Sequence, residues 1–156
     1  MGVEIERKFL IKGEYKSLAT SSSHIVQGYI CRDSGRTVRI RIRDRKAYIT
    51  IKGPALDGIS RFEWEKEIEM ADAEELILLS IGPVIDKTRY LVPFEGHTFE
   101  VDEFHGDNEG LTVAEVELSD PDEPFGKPSW LGEEVTGQKR YYNSCLTRSP
   151  FNTWDK

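Results

Sequence analysis

Residues 37–43 read Thr-Val-Arg-Ile-Arg-Ile-Arg, an uninterrupted alternation of aliphatic and basic side chains. A period of two is that of a β-strand, whose successive side chains point to opposite faces of a sheet, and not that of a helix. The segment therefore predicts a strand with one apolar face and one basic face. The apolar face carries Val38, Ile40 and Ile42, and the basic face carries Arg39, Arg41 and Arg43.

Alternation of the same kind recurs through the chain on both sides of this segment. The separations between neighbouring segments are short, as they are in antiparallel hairpins. Eight strands can close into a barrel that has no free edge and encloses room for a small ligand. We therefore expect an α+β, mainly β fold, an eight-stranded antiparallel closed barrel. The predicted strands are residues 3–11, 25–32, 37–43, 46–52, 60–69, 84–92, 97–105 and 112–118.

Helical signals are few, so we expect only short helices, packed outside the barrel. The clearest is at residues 72–81, where Asp72 and Glu75 resemble a capping box before an apolar run, and Gly82-Pro83 ends the helix. Pro128, as a first-turn residue, predicts another helix. The other predicted helices are residues 13–19, 128–134 and 140–148.

The composition is that of a globular protein. The 156 residues fit one domain, which we expect to span residues 1–156. No apolar run is long enough to cross a bilayer, and the formal net charge of −7 argues against a nucleic-acid partner. No export signal is visible, so we expect a cytoplasmic protein without a membrane partner, in which Cys31 and Cys145 are free thiols.

The charged side chains are sorted by strand. The ordinary interpretation is a solvated outer face, but a surface built for solubility usually mixes both signs. Strands of one sign each indicate instead a site inside the barrel, because basic groups hold phosphate oxygens and carboxylates hold hard divalent cations. The basic residues are Lys8, Arg39, Arg41, Arg43, Lys52, Lys87 and Arg89, and the acidic residues are Glu4, Glu6, Glu63, Glu65, Glu67, Glu100, Asp102, Glu115 and Glu117.

The segment Glu4-Ile-Glu-Arg-Lys8 is an ExExK motif, and it resembles the hallmark of the CYTH superfamily, the triphosphate tunnel metalloenzymes. The resemblance extends through the charged pairs of the other strands to the tail phrase Val135-Thr-Gly-Gln-Lys-Arg-Tyr-Tyr-Asn143. The family fold is an eight-stranded antiparallel tunnel with charged residues inside. The resemblance thus implies that the charges point inward and that helices and loops cover the apolar outer faces.

The resemblance also implies a role for each matching residue. The expected triphosphate-binding cations are Lys8, Arg39, Arg41, Lys52, Lys87 and Arg89, with Arg140 from a C-terminal segment that closes one tunnel end. The expected carboxylates for Mg²⁺ or Mn²⁺ are Glu4, Glu6, Glu63, Glu65, Glu100, Asp102, Glu115 and Glu117. The expected catalytic residues are Glu115, Glu117 and Lys87, with one of the two glutamates orienting the attacking water. Arg43 and Glu67 are assigned equally to the cavity and to solvent.

The activity that the resemblance implies is metal-dependent hydrolysis of a triphosphate, with inorganic tripolyphosphate cleaved to pyrophosphate and phosphate as the first expectation. A nucleoside triphosphatase and a class IV adenylate cyclase stay open as alternatives. Only Met1-Gly2-Val3 precede Glu4, which leaves no room for the His-Phe pair of those cyclases. A non-catalytic polyphosphate-binding module is the alternative from another class, although it has little use for so many carboxylates. A homodimer is kept as one option for the assembly.

Overall fold

The computed structural model of the protein describes residues 2–57 and 59–155. The strands within these residues form one antiparallel sheet. They are β1 (Gly2–Ile11), β2 (Ser21–Asp33), β3 (Arg36–Arg43), β4 (Lys46–Ala55), β5 (Ser60–Ile68), β6 (Ile85–Phe94), β7 (His97–Phe104), β8 (Thr112–Glu117) and β9 (Leu131–Glu134).

The sheet closes on itself through β1. The strand order is β5-β4-β3-β2-β6-β7-β8-β1, and β5 pairs with β1 to complete the ring. One edge of β1 pairs with β8, while the other edge is shared between β5 near the start of β1 and β9 near its end. The predicted eight-stranded closed barrel is confirmed, and β9 is a ninth strand added beside β1.

The outer face of β1, β6, β7 and β8 is apolar and covered. Phe9, Phe99 and Val116 point away from the barrel interior. They pack under Trp130, which precedes β9, and Leu131, which is the first residue of β9. Edge-to-face contacts between aromatic rings tighten this cluster, as between Phe99 and Trp130 at 5.5 Å. The expectation that the outer apolar faces require covering is therefore met here by a loop and a strand.

Helix α1 (Met70–Leu76) covers the outer face of β2, β3 and β4. Ile40 is fully buried against Ala73, and Met70 and Leu76 complete the contact. The predicted capping box is wrong, because α1 begins at Met70 and not after Asp72. Asp72 lies in the first turn, where its charge still interacts favourably with the helix dipole.

The interior of the barrel is apolar at one end, where the C-terminal segment enters it. Helix α2 (Asn143–Leu146) places Leu146, 0% exposed, against the inward-facing Ile85, Phe104 and Val113. This end of the barrel is therefore filled, and the charged residues line the remainder. The chain also has 3₁₀ turns at Lys16–Leu18, Ile77–Leu79, Gly106–Asn108, Lys139–Tyr141 and Phe151–Thr153.

Residues 128–134 do not form the predicted helix. Leu131–Glu134 are β9, because the edge of β1 beyond β5 offers backbone groups that need partners and Leu131 is buried in the outer cluster. The predicted helix at residues 72–81 is correct in kind but ends earlier, as a 3₁₀ turn after Leu76. Cys31 and Cys145 are free, as expected. None of the helices in the described chain has the length and apolar character needed to cross a membrane.

Candidate functional site

The inward faces of the strands line a cavity of about 260 Å³. A single water needs roughly 10–15 Å³ by the same kind of measure, so the cavity has room for a small ligand. The predicted site residues that line it are Glu4, Glu6, Lys8, Arg39, Arg41, Lys52, Glu63, Glu65, Lys87, Arg89, Glu100, Glu115 and Glu117. Arg43 lines it as well, whereas Glu67 is exposed outside it. Strand alternation, read from the sequence, thus brings nearly all of them together.

Cross-strand register sets which charges meet. Lys8 of β1 is the direct partner of Glu115 of β8, and the Nζ–Oε1 distance is 3.4 Å. Glu6 is the partner of Glu117 in the same ladder. Lys52 of β4 reaches Glu4 of β1 past the intervening strand β5, with 2.8 Å between Nζ and Oε2. Acidic and basic side chains from different strands therefore lie next to one another in one cavity.

Arg41 is a buried cation, 9% exposed, whose hydrogen-bond partner is neutral. Its Nε donates to Gln27 Oε1 at 2.8 Å, and it forms no salt bridge with a carboxylate in the part of the chain that the structure describes. Burial and the charges of Arg39 and Arg89 lower the pKa of Arg41 to about 9, so it is still charged at neutral pH. A buried guanidinium without a counter-ion lowers the stability of the fold unless an anion binds beside it.

Arg39 repeats this pattern on the same strand. Its Nη2 donates to Thr50 Oγ1 at 3.1 Å and lies 3.5 Å from Glu65 Oε2, while its Nε is buried and bonded to nothing in residues 2–57 and 59–155. An orphaned guanidinium N–H in a polar cavity is a donor that a phosphate oxygen can satisfy.

Arg89 differs from both because it is fully paired. Its Nε and Nη2 donate to the two oxygens of Asp102 at 2.8 and 2.9 Å, and its Nη1 donates to Glu100 at 3.2 Å. Burial alone would raise the pKa of Asp102, but the charges of Arg89 and Lys87 outweigh it and lower that pKa to about 2. Asp102 lies behind the cavity wall and not in it. The metal role expected for Asp102 therefore has no support in this position, which is that of a counter-ion.

Lys87, 1% exposed, shares the counter-ion Asp102 with Arg89 and also contacts Asn143. Its Nζ donates to Asp102 Oδ2 at 2.8 Å and to Asn143 Oδ1 at 2.7 Å. Burial, with the neighbouring guanidinium charges, lowers the pKa of Lys87 to about 7 against the opposing charge of Asp102. A small change in its surroundings therefore alters how much positive charge it offers.

The carboxylates lie in hydrogen-bonded pairs. Glu6 is bonded to Glu115, and loss of surrounding water together with the charge of Glu115 raises the pKa of Glu6 well above its usual range. Glu4 is bonded to Glu63, and burial and this neighbour raise the pKa of Glu63 to about 7. Two carboxylates this close favour a proton between their oxygens or, in its place, a divalent cation.

The carboxylate oxygens of the cavity suit a hard divalent cation whose remaining ligands are water and substrate phosphate. Within residues 2–57 and 59–155, no three carboxylate, histidine or cysteine groups converge as a ready-made metal cage. Mg²⁺ commonly uses only one or two carboxylates, with waters and substrate phosphates completing its shell. The Glu6–Glu115 and Glu4–Glu63 pairs are of that kind.

The C-terminal segment contributes cavity residues that the strand pattern did not predict. Tyr142 and Asn143 line the cavity, and the Lys8 ammonium lies 5.0 Å from the centre of the Tyr142 ring. Arg140, which was expected to bind substrate, instead stacks on Trp154 at 3.9 Å, exposed and outside the cavity. It lies in the 3₁₀ turn Lys139–Tyr141 and not in a strand with a face toward the cavity. Other lining residues not predicted are Tyr29, Thr37, Ser60, Arg61, Thr136 and Ser144.

Comparisons with known proteins agree with this geometry. The family model described as CYTH domain matches residues 2–145. A protein from Acetivibrio thermocellus named inorganic triphosphatase is 49% identical over 156 residues, covering 99% of each chain. One from Nitrosomonas europaea with the same name is 35% identical over 153 residues, covering 94% of this chain and 97% of its own.

Solved structures share the architecture. A crystal structure described as an inorganic triphosphatase aligns with a TM-score of 0.67 at 33% identity, over 92% of this chain and 96% of that one. A Hippeastrum structure described as a putative adenylyl cyclase with a dominant triphosphatase activity aligns with a TM-score of 0.58 at 15% identity, over 78% and 81% of the two chains. At that identity the second likeness concerns the fold alone.

Proposed function

Because this chain belongs to the CYTH domain family, we propose that it hydrolyses a phosphoanhydride bond of a triphosphate, with inorganic tripolyphosphate as its preferred substrate. Two relatives at 49% and 35% identity carry the name inorganic triphosphatase and are matched over nearly their full length. The proposed products are pyrophosphate and phosphate.

The observation that carries the proposal is Arg41, a buried guanidinium held by an amide in place of a carboxylate. Arg39 beside it has a buried N–H without a partner in the described chain. Two adjacent cations that lack a full complement of counter-ions require an anion of high charge density. A triphosphate presents several such oxygens in a row, which matches cations spread along one cavity wall.

The cations are proposed to act by holding the phosphate chain and balancing its charge. Phosphoryl transfer requires positioning and charge stabilisation more than covalent chemistry. Arg39 and Arg41 bind from β3, Lys8 from β1 and Lys87 from β6, and all four are buried in the cavity wall. Charge interactions are stronger there than in solvent, so fixed cations stabilise charge that develops on the leaving phosphate.

Paired carboxylates are proposed to hold a divalent cation, Mg²⁺ or Mn²⁺. Glu6 with Glu115, and Glu4 with Glu63, supply the oxygens. When bound, the cation would neutralise phosphate charge and acidify a coordinated water. In each pair burial, together with the neighbouring carboxylate, raises the pKa of one carboxyl, and a bound cation would offset the repulsion between the two.

Glu117 is proposed to take up the proton of the attacking water at a carboxylate oxygen. It lines the cavity beside Glu6, and partial burial with the charges of Glu4 and Glu100 raises its pKa. A general base is more effective as its pKa approaches the operating pH. Glu115, the other expected catalytic glutamate, is held by Lys8 and Glu6 and is better suited to binding.

Phosphate release tests the proposal. Purified protein with Mg²⁺ or Mn²⁺ should release phosphate from tripolyphosphate faster than from ATP, GTP or thiamine triphosphate, with pyrophosphate as the second product. Faster turnover of ATP would move the assignment to a nucleoside triphosphatase, and cyclic AMP from ATP would move it to a cyclase. Tripolyphosphate binding by calorimetry without turnover would leave a binding module.

A further inference from the structure

A chain of hydrogen bonds through two uncharged amide side chains connects two buried cations of the cavity. Gln27 Oε1 accepts from Arg41 Nε at 2.8 Å, and Gln27 Nε2 donates to Asn143 Oδ1 at 3.1 Å. The same Asn143 oxygen accepts from Lys87 Nζ at 2.7 Å. Arg41 of β3 and Lys87 of β6 are thus connected through two amide side chains, one from β2 and one from the C-terminal segment.

The orientation of the Gln27 amide is fixed by its partners. Gln27 is 0% exposed, and its Nε2 also donates to Tyr29 Oη at 3.0 Å. Rotating the amide by half a turn would place its NH₂ group against the Arg41 guanidinium, donor against donor. The network therefore has one favourable arrangement, and that arrangement sets the direction of Arg41.

Both acceptors in the network are uncharged, in contrast to the neighbouring pair. Asp102 holds Arg89 with a carboxylate and neutralises much of its charge, and it also pairs with Lys87, whereas Arg41 has no such partner in the described chain. An amide oxygen gives a cation a hydrogen bond and a direction but no counter-charge. Arg41 is therefore oriented and still fully charged toward the cavity that it lines.

We propose that Gln27 and Asn143 are positioning residues for triphosphate binding, which hold Arg41 and Lys87 in their binding orientation without adding negative charge that would oppose the substrate. This inference rests on the proposed function of the cavity. It assigns a role in the site to the C-terminal segment, because Asn143 begins α2 and Leu146 of α2 is anchored in the apolar end of the barrel.

Isosteric acidic substitutions test the proposal. Asn143→Asp keeps the shape and the oxygen that accepts from Gln27 and Lys87, and it adds a negative charge. Gln27→Glu adds the same charge and keeps the bond accepted from Arg41, but it loses the two bonds that Gln27 Nε2 donates. We expect each to weaken tripolyphosphate binding by about tenfold to a hundredfold, measured by calorimetry with EDTA present so that no metal contributes. With Mg²⁺, the KM should rise more than kcat falls. In Asn143→Asp the thermal midpoint should not fall, because the new carboxylate pairs with the Lys87 ammonium already present.

Matched controls add the same charge elsewhere. Gln138→Glu and Asn152→Asp alter exposed residues of the C-terminal segment outside the cavity, and their affinity and KM should equal those of the wild type. Because Gln27 is fully buried, Asn143→Asp decides the test if Gln27→Glu does not fold.

Three results would overturn the inference. Wild-type affinity in Asn143→Asp would show that the amide's neutrality has no role. An affinity loss matched by an equal fall in thermal stability would reduce the network to a structural one. A wild-type protein that neither binds nor hydrolyses tripolyphosphate would remove the proposed function itself, and the inference with it, which separates that failure from the first two.

Discussion

Asp102 accepts two hydrogen bonds from Arg89, at 2.8 Å from Nε and 2.9 Å from Nη2, and the pair is almost completely buried. A carboxylate engaged in this way on a wall behind the cavity is a fixed counter-ion. Arg41, on the neighbouring side of the same cavity, has an amide partner instead. The charge of Arg89 is therefore neutralised by the protein, whereas the charge of Arg41 is available to a bound anion.

Asp102→Asn should destabilise the fold without changing the metal requirement. Removing the charge leaves Arg89 and Lys87 buried without their counter-ion, which is expected to cost about 3–5 kcal/mol in the free energy of unfolding. Urea unfolding measures this. Asp86→Asn, in an exposed pair with His24, is the matched control and should cost less than about 1 kcal/mol. A higher Mg²⁺ requirement for residual activity in Asp102→Asn would restore Asp102 as a metal ligand.

Arg41→Ala should raise the KM for tripolyphosphate by at least about tenfold, because a buried charge-assisted bond to the substrate is lost. Its unfolding free energy should change little, since an unpaired buried charge also carries a desolvation cost. Steady-state kinetics and urea unfolding check both. Arg140→Ala removes an equal charge from the Trp154 stack and should leave the KM unchanged. An equal rise in both variants would contradict the placement of Arg140 outside the cavity.

The contrast between Arg41 and Arg140 shows what the sequence could predict. Arg41 lies in a strand with a strict period of two, and this period alone determines the face on which it lies. Closure of the barrel then gives that face a cavity. Arg140 lies in a 3₁₀ turn, where the sequence pattern does not determine which way a side chain points. Its guanidinium stacks on the Trp154 ring instead.

Gln27 and Asn143 were missed for a different reason. Both are neutral, so the sorting of charges by strand passes over them, although Gln27 has the parity of an inward residue and is the register partner of Arg41. Asn143 reaches the cavity only through the tertiary packing of α2. The strand β9 was also missed, because its pairing depends on the free edge of β1 and not on its own short pattern.

Stability should fall in acid partly through Glu134. Hydrogen bonds from Arg7 at 2.6 and 2.8 Å lower the pKa of Glu134 below its unfolded value. A depressed folded pKa contributes stability above the unfolded pKa of about 4.3, and this is lost as the pH falls through the folded pKa. Both side chains are about a third exposed, so the contribution is about 1 kcal/mol or less. Urea unfolding should show Glu134→Gln less stable than the wild type at pH 7 and by a smaller margin at pH 3, whereas exposed Glu133→Gln should match the wild type at both.

Glu6→Gln should raise the Mg²⁺ concentration for half-maximal activity by at least about tenfold, since it removes one of two paired carboxylates. Tripolyphosphate binding in EDTA should not weaken, because the cations are untouched and no negative charge is added. Activity titrated with Mg²⁺ and calorimetry separate the two effects. Glu67→Gln, exposed outside the cavity, is the control. A shift in Glu67→Gln equal to that in Glu6→Gln would indicate a general effect of net charge and not a metal site.

Leu146→Ala should couple stability to activity through α2. Leu146 is 0% exposed and packs against Ile85, Phe104 and Val113, so truncation is expected to lower the unfolding free energy by about 2–5 kcal/mol. Loosening α2 also loosens Asn143, whose oxygen holds Lys87, and the KM for tripolyphosphate should rise even at temperatures where the protein is fully folded. Leu78→Ala, at a residue 81% exposed, controls for the loss of a leucine and should change neither quantity. Urea unfolding and steady-state kinetics at 25 °C measure the two effects. A destabilised Leu146→Ala with a wild-type KM would show that the interior packing of the C-terminal segment does not set the position of Asn143.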